Sequence, residues 1–278
     1  LVVRGHEVVA YDNLTTGSLE NLNTKAFFYQ GDVEDRTQLD AFFTKEQPDA
    51  VMHMAAQIDV QTSMKNPTYD ANVNIMGTIN MLDMCNKYSV KRFVYSSSAA
   101  VYGNPEYLGV DEKHPKNPES FYGVSKLVPE TYIRMMADSY AVIRYANVYG
   151  PRQKAEGEGG VVAIFTDMMK KGGDCIIFGN GKQTRDFIYV KDIAAANVLA
   201  LESHENFTAN ASTSEATSVN ELFAIMKQVY GYGPEGVYKE ARNGDIEHSW
   251  LTNEKIMKIL SWRPEYSLKA GICEMSNS

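Results

Sequence analysis

The stretch "FYGVSK" places Tyr122 and Lys126 four residues apart. On a helix that spacing puts both side chains on one face, where their heads can meet a common ligand. A phenol with a pKa of about 10 is a poor base at neutral pH, but an adjacent ammonium favours its phenolate. The pair therefore predicts an acid–base centre in which Tyr122 exchanges a proton and Lys126 lowers its pKa. Upstream, "RFVYSSSAAVYG" reads as a buried strand ending on Ser96, Ser97 and Ser98, which sets hydroxyls at a strand's carboxyl end. Reactive groups of open α/β sheets collect at that end.

The elements that must carry these groups alternate. Short β-rich runs at residues 7–11, 26–30, 50–54, 92–97 and 142–145 are separated by helical patterns at 35–46, 67–88 and 122–137. Such alternation predicts a parallel sheet covered by helices. Pro67 suits a first helical turn. Pro129 is a departure, because an interior proline costs about 3 kcal/mol unless the helix accommodates it. "ADSYAVIRY" leaves little connection between the 122–137 helix and the next strand. After Gly150 the texture turns polar and Gly-rich, and a second region opens, with a helix near 161–171, a strand at 175–178, a strand and Ala-rich helix in "RDFIYVKDIAAANVLALE", and helices at 219–230 and 253–260.

The opening, "LVVRGHEVVAYDNL", reads as the end of a helix, a turn at Gly5-His6 and a strand with Asp12 at its tip. A second strand of a dinucleotide-binding fold has this form, its acid placed to hold a ribose. The first strand and its Gly-rich loop would then occupy about twenty residues upstream. Composition agrees with an ordinary globular chain: 278 residues, 44% hydrophobic, 22% charged and a formal net charge of −8. No basic run suggests nucleic acid, and no apolar stretch approaches a membrane span. Three scattered cysteines suit a reducing, cytoplasmic compartment better than a disulfide framework. "GNGKQT" fails as a P-loop, since Gln183 follows Gly-Lys, and the five histidines include no i, i+4 pair for zinc.

In order along the chain, "YDNLTTG", "GDVED", "MHMAAQ", "SSSAAVYG", "YGVSK", "RYANVYGPRQ", "QTRDFIYVKDIA", "RNGDIEHSW" and "WRPEYSL" resemble the extended short-chain dehydrogenase/reductase family, and within it the nucleotide-sugar 4-epimerases. The resemblance implies an α/β fold, a Rossmann-type doubly wound parallel sheet lacking its first strand and loop in this sequence, plus a smaller mixed α/β substrate domain. It assigns residues 1–151 and 186–205 to an NAD-binding domain and residues 152–185 and 206–278 to a UDP-sugar domain. Carried over residue by residue, it makes Tyr122 the base, Lys126 the group that lowers its pKa and binds the nicotinamide ribose, and Ser98 the hydroxyl that bridges to the sugar O4. Ser97 competes for that last role. Asp12 and Asn13 would hold the adenosine ribose, Asp32 and Val33 the adenine edge, and Ala55 and Ala56 would pass close to the cofactor phosphates and ribose. No Arg follows Asp12 closely, which favours NAD over NADP.

On the substrate side the resemblance implies that Arg185 and Arg242 grip the diphosphate, that Asn147 contacts the same group, and that Phe178 lines the uracil pocket. A guanidinium pair suits two phosphates chemically. Ser249 matches a position beside the sugar's C2 substituent, where a bulky Tyr restricts the family to glucose and galactose. A small Ser there implies room for N-acetyl sugars. In the related 4,6-dehydratases the residues after the strand look like a Thr-Asp-Glu run; here Ser98, Ala99 and Ala100 stand instead, and water elimination lacks its carboxylates. The expectation is an NAD-dependent C4 epimerase of a UDP-hexose, working as a homodimer joined through the helices that begin near Pro67 and Tyr122. A UDP-uronate epimerase or another nucleotide-sugar oxidoreductase is the alternative within the family, and a sugar-nucleotide or NAD binding module without turnover is the alternative outside it.

Overall fold

The computed structural model describes residues 1–155, 160–241 and 246–277. Two units emerge: residues 1–96, 120–142 and 200–207 form the first, and residues 97–119, 143–199 and 208–278 the second. The first unit opens with a short 3-10 turn closed by Gly5 at φ 87, a left-handed position that suits glycine. Strands β1 (Val9–Asp12) and β2 (Phe27–Gln30) pair in parallel, Val9 opposite Phe27 and Asp12 opposite Gln30. Helix α1 (Arg36–Glu46) starts where Asp35 accepts the backbone N–H groups of Thr37 and Gln38 at 2.9 and 3.0 Å. It buries Leu39, Phe42 and Phe43.

Strand β3 (Ala50–His53) is followed by two short helices, α2 (Val60–Lys65) and α3 (Pro67–Ala71). A π-helical turn, Asn72–Met76, joins α3 to α4 (Gly77–Lys87). The single helix expected over 67–88 is therefore interrupted by a wider turn. Such bulges in helices concentrate at functional positions. Strand β4 (Arg92–Ser98) lies parallel to β3, Ala50 opposite Arg92 and His53 opposite Tyr95. Helix α5 (Phe121–Met136) continues through Pro129, and β5 (Tyr140–Tyr145) starts only three residues after the helix ends.

That short link is fastened on several sides. Phe93 N–H donates to the Ser139 carbonyl at 3.0 Å, and Arg92 Nη1 reaches Ser139 Oγ at 3.0 Å. The Asn206 side chain accepts Tyr140 N–H at 2.7 Å and donates to the Asp138 carbonyl at 2.8 Å. The first unit's core joins Val33, Leu39, Phe43, Leu82, Phe93 and Ile133 with neighbours from β1, β2 and β3.

The second unit holds β6 (Asn147–Tyr149), α6 (Val161–Lys171), β7 (Ile176–Phe178), β8 (Thr184–Arg185), β9 (Phe187–Tyr189) and most of α7 (Val190–Glu202). It continues with β10 (Phe207–Ala211), β11 (Thr217–Ser218), α8 (Val219–Tyr230), β12 (Val237–Lys239), α9 (Glu254–Leu260) and α10 (Leu268–Ser276). Its core gathers Tyr149, Phe165, Ile177, Tyr189, Leu222 and Met226. The four-stranded sheet runs in the order β10-β5-β4-β3, whereas β1 and β2 form a separate two-stranded sheet among the described residues. This is an α/β fold with parallel pairing, of the Rossmann type. Among the described residues no helix is long and apolar enough to cross a membrane.

Candidate active site

Helix α5 begins where Ser120 Oγ accepts the Gly123 N–H at 3.0 Å. Tyr122 sits in that first turn and is held by its backbone on both sides. Its N–H donates to Ser63 Oγ of α2 at 3.1 Å, and its carbonyl accepts Ser125 Oγ at 3.1 Å. Lys126 follows one turn later and is only 3% exposed. Its Nζ donates to the Ser96 carbonyl of β4 at 2.9 Å and lies 5.2 Å from the centre of the Tyr95 ring. Burial pushes the Lys126 ammonium down to about 8. The same burial, with Tyr122 and Glu130 nearby, drives the Tyr95 phenol well above its ordinary range. A buried cation one helical turn from a half-buried phenol can favour the phenolate and leave ammonium N–H donors for a ligand, since the Ser96 carbonyl takes one.

The carboxyl ends of β1 and β2 bring the expected ribose and adenine residues together. Asp12 closes β1 with an exposed side chain whose Oδ1 accepts the Leu14 N–H at 2.6 Å. Asn13 Nδ2 donates to Asp32 Oδ2 at 2.9 Å. A Cβ at Gly17 would lie 3.2 Å from Asp12 Oδ1, so glycine keeps that carboxylate approachable. Val33 is buried, packed against Gly77 of α4. Ala55 and Ala56, half-buried, follow the carboxyl end of β3. An open carboxylate at a strand tip, two small residues at the next and a buried ammonium form a donor and acceptor set that fits a dinucleotide with two ribose diols.

In the second unit Ser98 ends β4, and its Oγ accepts the Ala100 N–H at 3.2 Å, capping a turn at Ala99–Val101. Ser98 is half-buried while Ser97 is only 2% exposed, which leaves Ser98 the more accessible hydroxyl. Arg185 and Ser249 meet at one carbonyl. Thr184 O accepts Arg185 Nη1 at 2.8 Å and the Ser249 N–H at 3.2 Å. Asp186, one residue on, is 1% exposed and receives Thr213 N–H and Oγ on one oxygen and Ser214 and Leu251 N–H on the other. Burial still pushes its carboxyl up to about 6. Asn147 opens β6, exposed, with its N–H on the Asp186 carbonyl at 2.9 Å. Phe178 closes β7, half-buried. Arg242 lies outside the described residues.

The polar residues beneath α5 belong to no chemical motif in the sequence. Asp70, Asn74 and Thr78 recur every four positions along α3, the π turn and α4, and all are buried. That stripe, on a stretch otherwise read as a simple helix, was the available signal. Gln57, directly after Ala55-Ala56, belongs to the same cluster, and Ser63 of α2 had no signal at all.

Parallel α/β pairing, an acid at the tip of β1 and a Tyr-x-x-x-Lys pair opening a helix define the class as a Rossmann-type enzyme of the short-chain dehydrogenase/reductase kind. The model of the NAD dependent epimerase/dehydratase family matches residues 1–213. The chain belongs to that family. A protein of Methanocaldococcus jannaschii, provisionally named UDP-glucose 4-epimerase, is 46% identical over all of this chain and 92% of its own length. The crystal structure of a Thermotoga maritima UDP-glucose 4-epimerase with UDP-glucose superposes with a TM-score of 0.96 at 40% identity, covering 99% of this chain and 91% of that one. A UDP-N-acetylglucosamine 4-epimerase from Methanobrevibacter ruminantium, in complex with UDP-N-acetylmuramic acid, gives a TM-score of 0.92 at 31% identity over 98% and 89% of the two chains.

Proposed function

We propose that the protein is an NAD-dependent C4 epimerase of UDP-hexoses, acting on UDP-glucose and UDP-galactose and, through a roomy sugar pocket, on their N-acetylated counterparts. The observation that carries this reading is the Tyr122–Lys126 pair: a phenol fixed by its backbone in the first turn of α5 and a buried cation one turn away. The names borne by the relatives support the substrate class.

NAD, when bound, supplies reversible hydride acceptance at C4, so that the sugar passes through a 4-keto form. Asp12 and Asn13 would hold the adenosine ribose, Asp32 and Val33 the adenine edge, Ala55 and Ala56 would pass close to the phosphates and ribose, and Lys126 would bind the nicotinamide ribose. Tyr122 Oη takes the proton from the 4-hydroxyl and later returns it, and Ser98 is the hydroxyl that would bridge to the sugar O4. Arg185, Arg242 and Asn147 keep the diphosphate in place while the sugar turns over, and Phe178 lines the uracil pocket. Ser249, small and half-buried, leaves space at the C2 substituent. Ala99 and Ala100 supply no acid or base after Ser98, which argues against dehydration. The division of labour, cofactor on residues 1–151 and 186–205 and UDP-sugar on 152–185 and 206–278, is part of the same proposal.

The working form is a homodimer in the cytoplasm. Met64, Tyr69 and Met76 near α2–α4, with Val124, Tyr132 and Met135 of α5, are large apolar side chains left exposed on the helices that would form the interface. Incubating the NAD-loaded protein with UDP-glucose and following the anomeric NMR signals tests the activity. UDP-galactose should grow in to a fixed ratio without stoichiometric NADH. Stoichiometric consumption of NAD(P)H would make the protein a reductase, and bound sugar nucleotide with no product would make it a binding module.

A further inference from the structure

Beneath α5 the first unit buries a carboxylate that the proposed chemistry does not use. Asp70 is 1% exposed. Its Oδ1 accepts Gln57 Nε2 at 2.7 Å and Asn74 Nδ2 at 3.2 Å, while Oδ2 is buried with no hydrogen-bond partner among the described residues. Gln57 and Asn74 are locked together, since the Gln57 N–H donates to Asn74 Oδ1 at 2.7 Å and Asn74 Nδ2 donates to the Gln57 carbonyl at 2.8 Å. Asn74 Nδ2 also reaches Ser125 Oγ at 2.9 Å, on the residue next to Lys126. The cluster ties the loop after β3 to the helix that carries Tyr122 and Lys126.

Lysine is almost never fully buried without a partner of opposite charge. The contacts of Lys126 described above, a backbone carbonyl and the face of Tyr95, are both neutral. Among the described residues His53, Tyr95 and Asp70 act on it or touch it, and Tyr122 and Glu130 stand four positions away on either side along α5. His53 is held neutral, pushed down to about 3 by burial and by Lys126 itself. Tyr95 is held neutral by burial, and Tyr122 is the proposed base. Glu130 is buried beside Arg134, whose Nη1 stands 4.0 Å from its Oε2. Asp70 remains, and its field opposes the effect of burial on Lys126.

We propose that Asp70 is a positioning residue for the reaction: its buried carboxylate, fixed by Gln57 and Asn74, is the counter-charge that keeps Lys126 an ammonium and, through it, keeps Tyr122 acidic enough to act as the base. This rests on the reading of Tyr122 and Lys126 as the acid–base pair. The alkaline limb of turnover then belongs to Lys126, and removing the Asp70 charge moves that limb toward neutral pH.

Asp70→Asn is nearly isosteric and keeps an acceptor for Gln57 and Asn74. In protein labelled with ¹³C at the lysine ε-carbon, with the Lys126 signal assigned by its loss in Lys126→Met, the Lys126 titration midpoint should fall from about 8 by about 1 pH unit. A fall of that size cuts the ammonium fraction about fivefold at pH 8 and about twofold at pH 7, and kcat should follow. Ser125→Ala breaks the Asn74 contact without changing charge, and should leave the Lys126 midpoint and the alkaline limb in place. Asp70→Ser supplies the same readout should the Asn variant not fold. An unmoved Lys126 midpoint in a folded Asp70 variant overturns the proposal, as does an equal displacement in Ser125→Ala. A protein that binds but never epimerises would sink the functional reading and leave the lysine titration to judge Asp70 independently.

Discussion

Ser63→Ala is the sharpest test of how the backbone positions the proposed base. Ser63 is fully buried in α2, where its hydroxyl donates to the Val60 carbonyl at 2.7 Å and accepts the Tyr122 N–H at 3.1 Å. That N–H is one of the first in α5, which no intrahelical carbonyl can satisfy. Ser120 Oγ, the cap of the same helix, is engaged by the Gly123 N–H. Removing the hydroxyl leaves a partly buried donor without its partner, at a cost of about 1–2 kcal/mol. For a chain of this size that lowers the unfolding midpoint by about 2–8 °C. A misplacement of about 1 Å at a reacting group can reduce turnover as much as a hundredfold, so kcat should fall by about 10- to 100-fold while KM for UDP-glucose changes little. Differential scanning fluorimetry and a coupled UDP-galactose assay measure both effects. A variant with unchanged melting and unchanged kcat would show that Ser63 does not hold Tyr122.

Three further outcomes follow from packing and chemistry elsewhere. A Cβ at Gly77 would stand 2.6 Å from Val33 Cγ2, so Gly77→Ala should cost about 1–3 kcal/mol in urea denaturation, and adding Val33→Ala should recover most of it. Asp186→Asn places an amide NH₂ against the Ser214 or Leu251 N–H groups; despite removing a buried charge it should destabilise by about 1–3 kcal/mol and raise KM, because Arg185 is the adjacent residue. Unchanged denaturation would mean the four donors to Asp186 are replaceable. Ser249→Tyr should abolish turnover of UDP-N-acetylglucosamine while sparing UDP-glucose, and equal losses on both would remove Ser249 from the sugar pocket.

What the sequence disclosed depended on how strongly each segment signals by itself. Helices α1, α6 and α8 lie where periodicity places them, because each carries its own apolar face and a left-handed C-cap, with a side-chain N-cap added on α1 and α8. Strand β1 runs from Val9 to Asp12 rather than from residue 7, the acid itself pairing opposite Gln30. Helices α2 and α10 carry weak local signals: "VQTSMK" is six residues held by the Asp59 cap, and "LKAGICEMS" is nine residues with Gly271 in its interior. Strand β10, "FTANA", carries polar residues, yet Asn210 is fully buried there, donating to the Val110 carbonyl and accepting Tyr102 Oη. Tertiary partners decide such segments, and no local pattern announces them. The candidate site divides in the same way. Tyr122 and Lys126 advertise themselves by helical spacing, whereas Asp70, Gln57 and Asn74 matter only through contacts across several elements.

The central claim is that Tyr122 carries the proton at the sugar's 4-hydroxyl. General acid–base catalysis by one side chain contributes about 10²–10⁴-fold. The most direct measurement is kcat for UDP-glucose to UDP-galactose conversion in Tyr122→Phe, loaded with NAD and checked for unchanged sugar-nucleotide affinity. Turnover should fall by at least about 100-fold with binding intact; turnover close to that of the unsubstituted protein would contradict a proton-transfer role for Tyr122.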